Sequence, residues 1–393
     1  MVQSSDPRIV EFFGGTPASA GVYVTPDSAQ RVSAVFACVD RIAGAVSTLP
    51  IKLYKGRGAG RGEVEDDFLF DLLNEQPCAA WTAASHWQRV LQFILLRGDS
   101  FALIKRTPLG AIKEIIPIPW ESCVPDRQSL GIDARNMYAV NDGYTAKGYD
   151  QDDVLHFPGY GFNGLRSYSV LSWGARQATG NAIAMDEFSG RFFADGAHPS
   201  IVLKSPKKMD EAQIALLQAS FRNKYSGITN AHKLPLVLTE GMDAQEISLS
   251  AQDSQLLEAR KFQVIDIARA FGVPPHMIGE TSASTSWGSG IESMGRAFVS
   301  FTLQPHLVRL EQELNRKLFR QTGIFAEFDR SSLLEGDAKS QAEYFRAALG
   351  GPGSGPGWMS QNDVRAKKYM SPKPGGDNLF IPTTQSNGAK NEK

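Results

Sequence analysis

The feature that most constrains the fold is a pair of long helical patterns separated by one short polar segment. Apolar residues recur at helical spacing through Ala251–Phe271, which predicts an amphipathic helix. The sequence Gly272-Val273-Pro274-Pro275 follows, and glycine followed by proline is a strong helix stop. A second helical pattern spans Ile291–Arg320, with a kink expected at Pro305 because proline lacks the N–H that a helix uses.

The segment between these patterns is made of small and polar residues with one large aromatic side chain. It occupies residues 279–290, and its hydroxyl-bearing and aromatic members are Ser282, Ser284, Thr285, Ser286, Trp287 and Ser289. Two long helices around such a loop are unusual for an enzyme core. The arrangement suits a loop that is held on two stiff arms and directed into an open space.

Composition limits the class of protein. The chain has 393 residues, of which 42% are hydrophobic, so two or three folded domains are expected and wholesale disorder is excluded. A formal net charge of -1 argues against a protein that wraps nucleic acid by neutralising phosphates. The three cysteines, Cys38, Cys78 and Cys123, form neither a disulfide framework nor a metal pattern, so a reducing compartment is expected. We find no pattern for a signal peptide or a membrane span.

The first part of the chain predicts a mixed α+β domain. Residues 1–28 are expected to form an extended arm. Helical periodicity predicts helices at Arg31–Leu49, Phe68–Leu73 and Thr82–Leu96. Apolar and β-branched runs predict mostly antiparallel strands at Ile51–Tyr54, Ser100–Lys105, Ile112–Ile118, Cys123–Val124, Tyr138–Val140 and Val154–Phe157.

A long helix is predicted from Ser169 to Asp195, and small residues are frequent in it. Gly174, Ala178 and Gly190 are among them, and each glycine costs a helix about 1 kcal/mol relative to alanine. Close packing against neighbouring helices is the physical compensation that we expect.

The remaining parts of the chain are shorter. Between the long helix and Ala251, a small α/β module is predicted, with elements at 198–205, 210–225 and 234–238. After Arg320 we expect the following elements: a strand at Phe325–Phe328, a helix at Leu333–Leu349, a flexible linker at 350–357, a helix at Ser360–Tyr369 and a disordered tail after Pro374.

No catalytic pattern stands out. The six histidines are scattered over separate elements, and neither a nucleophile elbow nor a P-loop occurs. The glycine-rich stretch at 159–164 lacks the lysine of a phosphate loop, and we interpret it as a hinge. Asp150, Asp152 and Asp153 lie close to His156, but they lack the glycine and terminal glutamate of a calcium loop, which favours a turn.

Several segments carry a family resemblance through their order and spacing. They are Ser33-Ala34-Val35-Phe36-Ala37-Cys38-Val39 through Leu49-Pro50, Leu72-Leu73-Asn74-Glu75-Gln76-Pro77, Leu95-Leu96-Arg97-Gly98-Asp99-Ser100-Phe101-Ala102, Val154-Leu155-His156-Phe157, Arg191-Phe192-Phe193 with Gly196 and Pro199, the most specific segment Ala268-Arg269-Ala270-Phe271-Gly272-Val273-Pro274-Pro275-His276, and the helix running to Arg309-Leu310-Glu311-Gln312-Glu313-Leu314-Asn315. With these segments the sequence resembles the portal proteins of tailed bacteriophages, of the siphophage head-to-tail connector family, over nearly all of residues 25–375.

This resemblance implies a ring, usually of twelve subunits, at one capsid vertex of a virion that is assembled in the host cytoplasm. Double-stranded genome DNA would pass through its channel without sequence specificity during packaging and ejection. The implied protein partners are the terminase large subunit, a head-completion adaptor, and the major capsid and scaffolding proteins. No enzymatic activity, cofactor, metal or membrane is implied.

The resemblance also implies a portal fold, an α+β architecture in which each region has a counterpart. These regions are the N-terminal arm at 1–28, the α/β wing at 29–165, stem helix 1 at 166–196, the small α/β clip at 197–249, stem helix 2 at 250–276, the tunnel loop at 277–290, the kinked wing helix and strand at 291–330, the helical crown at 331–372 and the flexible tail at 373–393. Ser282, Ser284, Thr285, Ser286, Trp287 and Ser289 would then face DNA, where hydroxyls and an indole touch phosphate and sugar without reading bases.

Two other functional classes remain as alternatives. A metal-dependent hydrolase would use Asp150, Asp152, Asp153 and His156. A host membrane pore is disfavoured because the sequence lacks an apolar span and membrane-facing alternation.

Overall fold

The computed structural model describes most of the chain. The described residues are 16–56, 61–64, 67–127, 135–141, 143, 145–194, 201–204, 210–216, 243–246, 250–281, 289–320, 322–334, 338–351, 355–368 and 370–381. The chain divides into two compact units, and the boundary between them in the sequence falls after Asp329.

The first unit begins with a small hairpin and a short helix. Strand β1 (Thr16–Pro17) pairs antiparallel with β2 (Tyr23–Val24), and helix α1 (Pro26–Gln30) follows. Thr25 and Ser28 form a reciprocal capping box that fixes the start of this helix. Within residues 16–28, therefore, the chain is not the extended arm expected from its glycine and proline content, because the hairpin and the cap supply local hydrogen bonds.

The rest of the first unit mixes helices and strands, so the α+β class expected from the sequence is confirmed. Its next elements are α2 (Ser33–Ser47), β3 (Ile51–Lys55), β4 (Gly62–Glu63), α3 (Phe68–Asn74), α4 (Ala83–Arg97), β5 (Asp99–Arg106), β6 (Ile112–Ile118), β7 (Cys123–Arg127), β8 (Asn136–Asn141), β9 (Ala146–Asp150) and β10 (Val154–Pro158). They are followed by α5 (Arg176–Ala194), β11 (Ile201–Lys204), β12 (Asp243–Glu246), α6 (Ser250–Phe271), α7 (Ser289–Ala297), α8 (Gln304–Lys317) and β13 (Ile324–Phe328).

The strands form small antiparallel sheets. Three of these sheets have three strands, with the orders β10-β5-β6, β7-β8-β9 and β13-β3-β4. Strands β11 and β12 pair with each other, with Ile201 opposite Glu246. Because β13 follows α8 in the sequence yet pairs with β3, the two ends of this unit are joined through one sheet.

Trp87 on α4 is buried between two sheets. Its ring meets Phe157 of β10 edge-on at 6.0 Å between centroids, and it meets Phe328 of β13 in the same way at 5.6 Å. Its indole N–H donates to the Leu73 carbonyl at 2.9 Å, so the buried polar group is satisfied. Helix α4 therefore packs against two different sheets through one side chain.

Two asparagines complete strands that would otherwise have unpaired edges. The Asn74 side chain accepts from the Ile51 N–H at 2.7 Å and donates to the Ile51 carbonyl at 2.9 Å. In the same way, Asn315 on α8 accepts from the Ala326 N–H and donates to its carbonyl. Strand β4 pairs with β3 only at Tyr54 and Lys55, and β13 is an edge strand, so these bonds satisfy backbone groups that have no partner strand.

Local periodicity predicted most elements well. The helices expected at 31–49 and 82–96 are α2 and α4, displaced by at most two residues at each end. Strand β9 was not predicted, and neither were two π-helical segments, Leu171–Ala175 and Phe298–Leu303. In the small module, β11 and a helical start at 211–216 agree with the prediction, whereas the strand expected at 234–238 lies outside the described residues.

The second unit contains helices α9 (Ser331–Leu334), α10 (Ala338–Leu349) and α11 (Gln361–Lys367). The glycine-rich segment after α10 is a tight turn in its described part, not the flexible linker that we expected. A Cβ at Gly357 would lie 2.3 Å from the Leu349 carbonyl oxygen, so the chain approaches itself too closely for a side chain.

The start of the predicted flexible tail is also folded. The Asn362 side chain donates to the Lys373 carbonyl at 2.9 Å and to the Asp377 carboxylate at 2.8 Å. Farther along, the Gly357 N–H donates to the Phe380 carbonyl at 2.8 Å. Residues 373–381 are therefore held by hydrogen bonds that composition alone does not reveal.

Hydropathy along the helices also bears on membranes. Across the described ranges, the helices fall short of the length and apolar character that a membrane crossing requires.

The first prediction concerns His86, which is buried on α4 and whose ring nitrogens have no hydrogen-bond partner among the described residues. Burial lowers the pKa of His86 to about 4, whereas a histidine in an unfolded chain titrates near pH 6.5. Between these values the unfolded state binds more protons, so the free energy of unfolding falls as the pH falls from about 7 to about 4. At pH 5 the loss is of order 2 kcal/mol.

Melting temperatures of the wild type, His86→Leu and His86→Gln at pH 7.5 and pH 5 test this prediction. Both variants should lose less stability on acidification than the wild type, because neither replacement titrates. The two variants should differ from each other only in absolute stability, since leucine and glutamine pack differently. Equal acid sensitivity of all three proteins would contradict the prediction.

Candidate functional site

The first arm of the predicted helix–loop–helix ends in a well-formed cap. Helix α6 ends at Phe271, and Gly272 adopts a positive φ of 71°. The Val273 N–H donates to the Ala268 carbonyl at 2.9 Å, and the Gly272 N–H donates to the Arg269 carbonyl at 3.1 Å. This pair of bonds is a Schellman motif, and it requires a residue such as glycine in the left-handed conformation.

The prolines after this cap start a new turn. Pro274 precedes a 3-10 turn at Pro275–Ile278, and the turn ends at Gly279 with φ 88°. Proline is compatible with the first positions of a helical turn because the N–H it lacks would have no partner there. The chain therefore leaves the first arm in a defined direction.

The second arm is one helical run with an irregular segment in its middle. Helix α7 is followed by the π-helical segment Phe298–Leu303 and then by α8, in which Pro305 is the second residue. In an unbroken α-helix, Pro305 would be expected to donate an N–H to the carbonyl of Phe301, and it cannot. The π-helical segment thus ends two residues before Pro305, the position at which the sequence predicts a kink.

A hydrogen bond joins the two arms at their base. The Thr302 hydroxyl donates to the Gly272 carbonyl at 2.5 Å. A Cβ at Gly272 would lie 2.9 Å from the same hydroxyl oxygen, so a larger residue there would displace the contact. The π-helical segment and the cap of α6 therefore depend on one another.

Most of the predicted loop residues lie outside the described part of the chain. This applies to Ser282, Ser284, Thr285, Ser286 and Trp287. Ser289 is the first residue of α7. Contact of this loop with DNA stays a prediction.

Helices α5 and α6 lie antiparallel against each other. Gly174, just before α5, has its Cβ position 3.6 Å from the Ala270 Cβ, while Asp186 and Arg260 form an ion pair at 2.6 Å. Ala178 is buried, whereas the Cβ position of Gly190 has no neighbour within 4 Å among the described residues. Of the three predicted small residues, Ala178 is buried and Gly174 is exposed but lies beside α6, and packing between subunits stays a prediction for all three.

The residues of the alternative hydrolase are not arranged around a metal. Arg135 pairs with Asp150 and lies 2.7 Å from Asp152, and its hydrogen bond to Asp150 lowers the pKa of that carboxyl. Asp153 pairs instead with Arg106 at 3.4 Å. In the described ranges no three His, Cys, Asp or Glu side chains are placed to hold a metal ion.

His156 belongs to a buried polar network that the sequence alone did not reveal. Its Nε2 lies 3.1 Å from Asp99 Oδ1, and its Nδ1 lies 3.1 Å from the Tyr138 hydroxyl. Since a carboxylate oxygen only accepts, Nε2 donates to Asp99, and the Tyr138 hydroxyl is the partner of Nδ1. Burial raises the pKa of Tyr138, which keeps its hydroxyl protonated as a donor.

Asp99 is fully buried and has further partners. Its Oδ2 accepts from the Ser167 N–H at 3.1 Å and lies 3.8 Å from an Arg166 guanidinium nitrogen. Arg166 also donates to the Cys123 carbonyl at 2.7 Å. A buried carboxylate is tolerated only with such partners, and here they tie β5 to β10 and to residues 166–167.

An ion pair on α8 completes the outer edge of β10. Glu313 accepts from the His156 N–H at 2.9 Å and pairs with Lys317, which in turn donates to the Val154 carbonyl. Burial lowers the pKa of Lys317, but the adjacent Glu313 carboxylate counteracts this effect. The helical pair thus takes the place of a neighbouring strand along an otherwise open edge.

The glycine-rich stretch at 159–164, which we interpreted as a hinge, and the residues after it are held by several internal contacts. Tyr160 and Tyr168 form an antiparallel bridge, and the Asn163 side chain accepts from the N–H groups of Leu165 and Arg166 at 2.9 Å. A Cβ at Gly161 would lie 2.7 Å from the Tyr168 ring. Glycines therefore allow close approach here, and they do not provide flexibility.

This loop presents aromatic side chains to solvent. The exposed residues, which we call the aromatic surface, are Tyr160, Phe162, Tyr168 and Trp173. The rings of Tyr168 and Trp173 contact each other at 4.5 Å between centroids. The sequence signal for this surface is the occurrence of four large aromatic residues between positions 160 and 173.

Comparison with known proteins identifies relatives along almost the whole chain. The family model described as phage portal protein matches residues 33–368. A probable portal protein of Streptomyces phage phiC31 is 34% identical over 94% of this chain and 81% of its own length. The portal protein of Enterobacteria phage HK97 is 30% identical over 92% of this chain and 85% of its own length.

Solved structures share the fold at lower sequence identity. A structure described as the neck of a native gene transfer agent particle, computed with C12 symmetry, has a TM-score of 0.58 at 20% identity and covers 94% of this chain and all of that chain. An HK97-family phage portal protein from Corynebacterium diphtheriae has a TM-score of 0.56 at 17% identity and covers 78% of this chain and 95% of that chain.

A second prediction concerns Asp99. In Asp99→Asn, an NH2 group replaces one carboxylate oxygen. The side chain then keeps one accepting oxygen, which cannot serve both His156 and Ser167. Arg166 also loses its buried counter-charge. We expect a loss of about 2–4 kcal/mol in the free energy of unfolding. The Ser167 amide should also exchange hydrogen with solvent faster than in the wild type.

Asp153→Asn is the matched control, because it removes the same charge from an exposed ion pair with Arg106. The expected loss for the control is below about 1 kcal/mol. Urea unfolding and hydrogen exchange of both variants measure the difference, and equal effects of the two substitutions would contradict a structural role for Asp99.

Proposed function

Since the chain belongs to the phage portal protein family, we propose that copies of it close into a ring at one capsid vertex and surround a channel for genome DNA. The chain is a portal protein of the head-to-tail connection, with a role in packaging and ejection. The observation that carries this conclusion is the family match from residue 33 to residue 368.

Twelve is the proposed number of subunits. The gene transfer agent neck with the same fold was computed with C12 symmetry, which supports a twelve-fold ring for this chain. In such a ring each subunit contacts its neighbours through two different surfaces, and the rotation between subunits closes the assembly.

Each region has a proposed place in the ring. Residues 29–165 form the wing, 197–249 the clip and 331–372 the crown. The antiparallel packing of α5 on α6, with Gly174 close to Ala270, supports their role as the two-helix stem. The shared base of the two arms at Gly272 and Thr302 supports a tunnel loop at 277–290 that starts from a fixed position.

DNA in the channel is the proposed ligand of the loop. Ser282, Ser284, Thr285, Ser286, Trp287 and Ser289 would meet phosphates and sugars, contacts that carry no sequence information. A formal net charge of -1 agrees with a conduit, because strong phosphate contacts would slow a moving polyanion.

The proposed protein partners follow from the position at the vertex. The clip would bind the terminase large subunit during packaging and a head-completion adaptor afterwards. The outer part of the ring would contact the major capsid and scaffolding proteins. The protein would then be located in the virion, after assembly in the host cytoplasm, and it would act as a structural component without catalysis.

Ring formation provides the most direct experiment. Negative-stain microscopy of the purified full chain should show rings with a central hole, and mass measurement should give the subunit number. A protein that stays monomeric at micromolar concentration would contradict the proposed function.

A further prediction addresses the polar loop. Deletion of residues 282–288 should leave rings intact but shorten or destabilise the packaged DNA, because the arms remain while the proposed DNA contacts are removed. Particles assembled with the deletion, with Trp287→Ser and with the wild type should be compared by the length of DNA that they retain.

The single substitution separates the contribution of the indole from that of the loop length. Wild-type DNA length in particles that carry the deletion would show that the loop does not act on the genome.

A further inference from the structure

We propose that the aromatic surface, formed by Tyr160, Phe162, Tyr168 and Trp173, is a contact by which each copy of the chain packs against the next copy in the ring. This inference rests on the proposed function and adds to it a specific interface and its occupant, a second copy of the same chain.

The exposure of these side chains is the first observation. Tyr160 is 68% exposed, Phe162 44%, Tyr168 46% and Trp173 66%. Single exposed apolar residues are common on soluble proteins, but a contiguous aromatic patch marks a site of interaction. The rings of Tyr168 and Trp173 touch, and Tyr160 pairs with Tyr168 in a backbone bridge, so these three residues are neighbours. Phe162 follows Tyr160 by two residues and packs one side of its ring on His156.

The second observation is that the surface is held rigidly from below. The Ser167 N–H is bound by the buried Asp99 carboxylate, and the Gly159 N–H donates to the Gly98 carbonyl at 2.8 Å. The Ser169 hydroxyl accepts from the Ser172 N–H at 2.9 Å and so fixes the start of the helical segment that carries Trp173. A preorganised aromatic surface loses little conformational entropy on binding, which is what a stable protein contact requires.

The glycines around the loop strengthen this argument. A Cβ at Gly98 would lie 2.3 Å from the Ser167 carbonyl oxygen, and one at Gly159 would lie 2.6 Å from the Gly98 carbonyl oxygen. The backbone therefore depends on glycine at both positions to bring the loop down onto the core. The backbone of this loop is closely packed, yet four of its aromatic side chains are exposed. This combination suits the binding of a partner.

Charge favours a protein partner over nucleic acid. Between Gly159 and Gly174 the sequence has one charged residue, Arg166. Its guanidinium is directed inward, since it lies over the Phe101 and Trp120 rings at 5.2 and 4.8 Å and bonds to the Cys123 carbonyl. Binding to DNA draws on exposed cations, whereas aromatic side chains with few charges are typical of the buried centre of protein interfaces.

A second copy is the occupant that the ring requires. A closed ring of identical subunits gives every subunit two neighbours, and each contact joins different surfaces of the two copies. The structure computed with C12 symmetry shares the fold over 94% of this chain, so the same geometry is available here. Other exposed apolar side chains in this unit, such as Phe36 and Phe301, offer apolar surface for the opposing side of the contact.

The experiment uses the full chain with Trp173→Ser or with Tyr168→Ser. Aromatic side chains at the centre of an interface often dominate its stability, so we expect ring formation to need about tenfold more protein or more. Sedimentation velocity over a concentration series should show monomers where the wild type shows rings. Melting temperature and circular dichroism should stay close to the wild type, because both side chains are largely exposed.

Leu109→Ser is the matched control, since Leu109 is 97% exposed on the turn between β5 and β6 and lies outside the aromatic surface. This variant should form rings as the wild type does. If Trp173→Ser does not fold, Tyr160→Ser replaces it, because Tyr160 is the most exposed member of the surface.

The outcomes separate the two proposals. Rings of wild-type stability in the folded aromatic variants would overturn the inference and leave the proposed function standing. If a variant forms normal rings that are not incorporated into particles, the aromatic surface binds another capsid component. That result would also overturn the inference. A wild type without rings would contradict the proposed function itself.

Discussion

The buried carboxylate of Asp99 is the constraint on which much of the first unit depends. A charge with no access to water must be matched by donors whose positions are fixed, and here the donors come from two separate segments of the chain. His156 approaches from the paired strand and Ser167 from the loop that follows it, while Arg166 supplies the opposite charge. Because Glu313 binds the backbone of the same His156, helix α8 is tied to this network as well. One side chain thus sets the relative positions of two strands, a helix and the aromatic loop.

This network explains why short, scattered segments revealed the family before the fold was known. Gly98 and Asp99, the run from Val154 to Phe157, and the stretch from Arg309 to Asn315 are far apart in sequence but meet in the structure. Asn74 and Asn315 play a comparable role, since each of them replaces a neighbouring strand for a single residue. The partners of such residues are fixed by the geometry of the fold, so each of them depends on contacts far from it in the sequence.

The sequence predicted those features that depend on local spacing and missed those that depend on distant partners. Helices α2 and α4 and strand β6 follow from periodicity and end close to where their apolar patterns end. The π-helical segments do not, since the sequence around Thr302 has an ordinary helical pattern and its hydroxyl bonds to Gly272, thirty residues earlier. The prediction of flexibility for the turn after α10 and for the beginning of the tail was wrong for the same reason. A glycine-rich composition predicts flexibility, but here the chain packs against itself. Of the two functional candidates, the polar loop can be predicted from its composition. The aromatic surface cannot, because it is defined by the solvent exposure of its side chains in the fold.

The aromatic surface and the polar loop require different physical properties for their proposed roles. A contact between subunits must be preorganised, and the aromatic loop is held by Asp99, by internal hydrogen bonds and by glycines that permit close approach. Passage of DNA instead requires contacts that are weak and independent of sequence, for which hydroxyl groups are better suited than lysine or arginine. The bond from Thr302 to Gly272 ties the second arm to the end of α6, and Ala270 near the same helix end lies beside Gly174, the residue after Trp173.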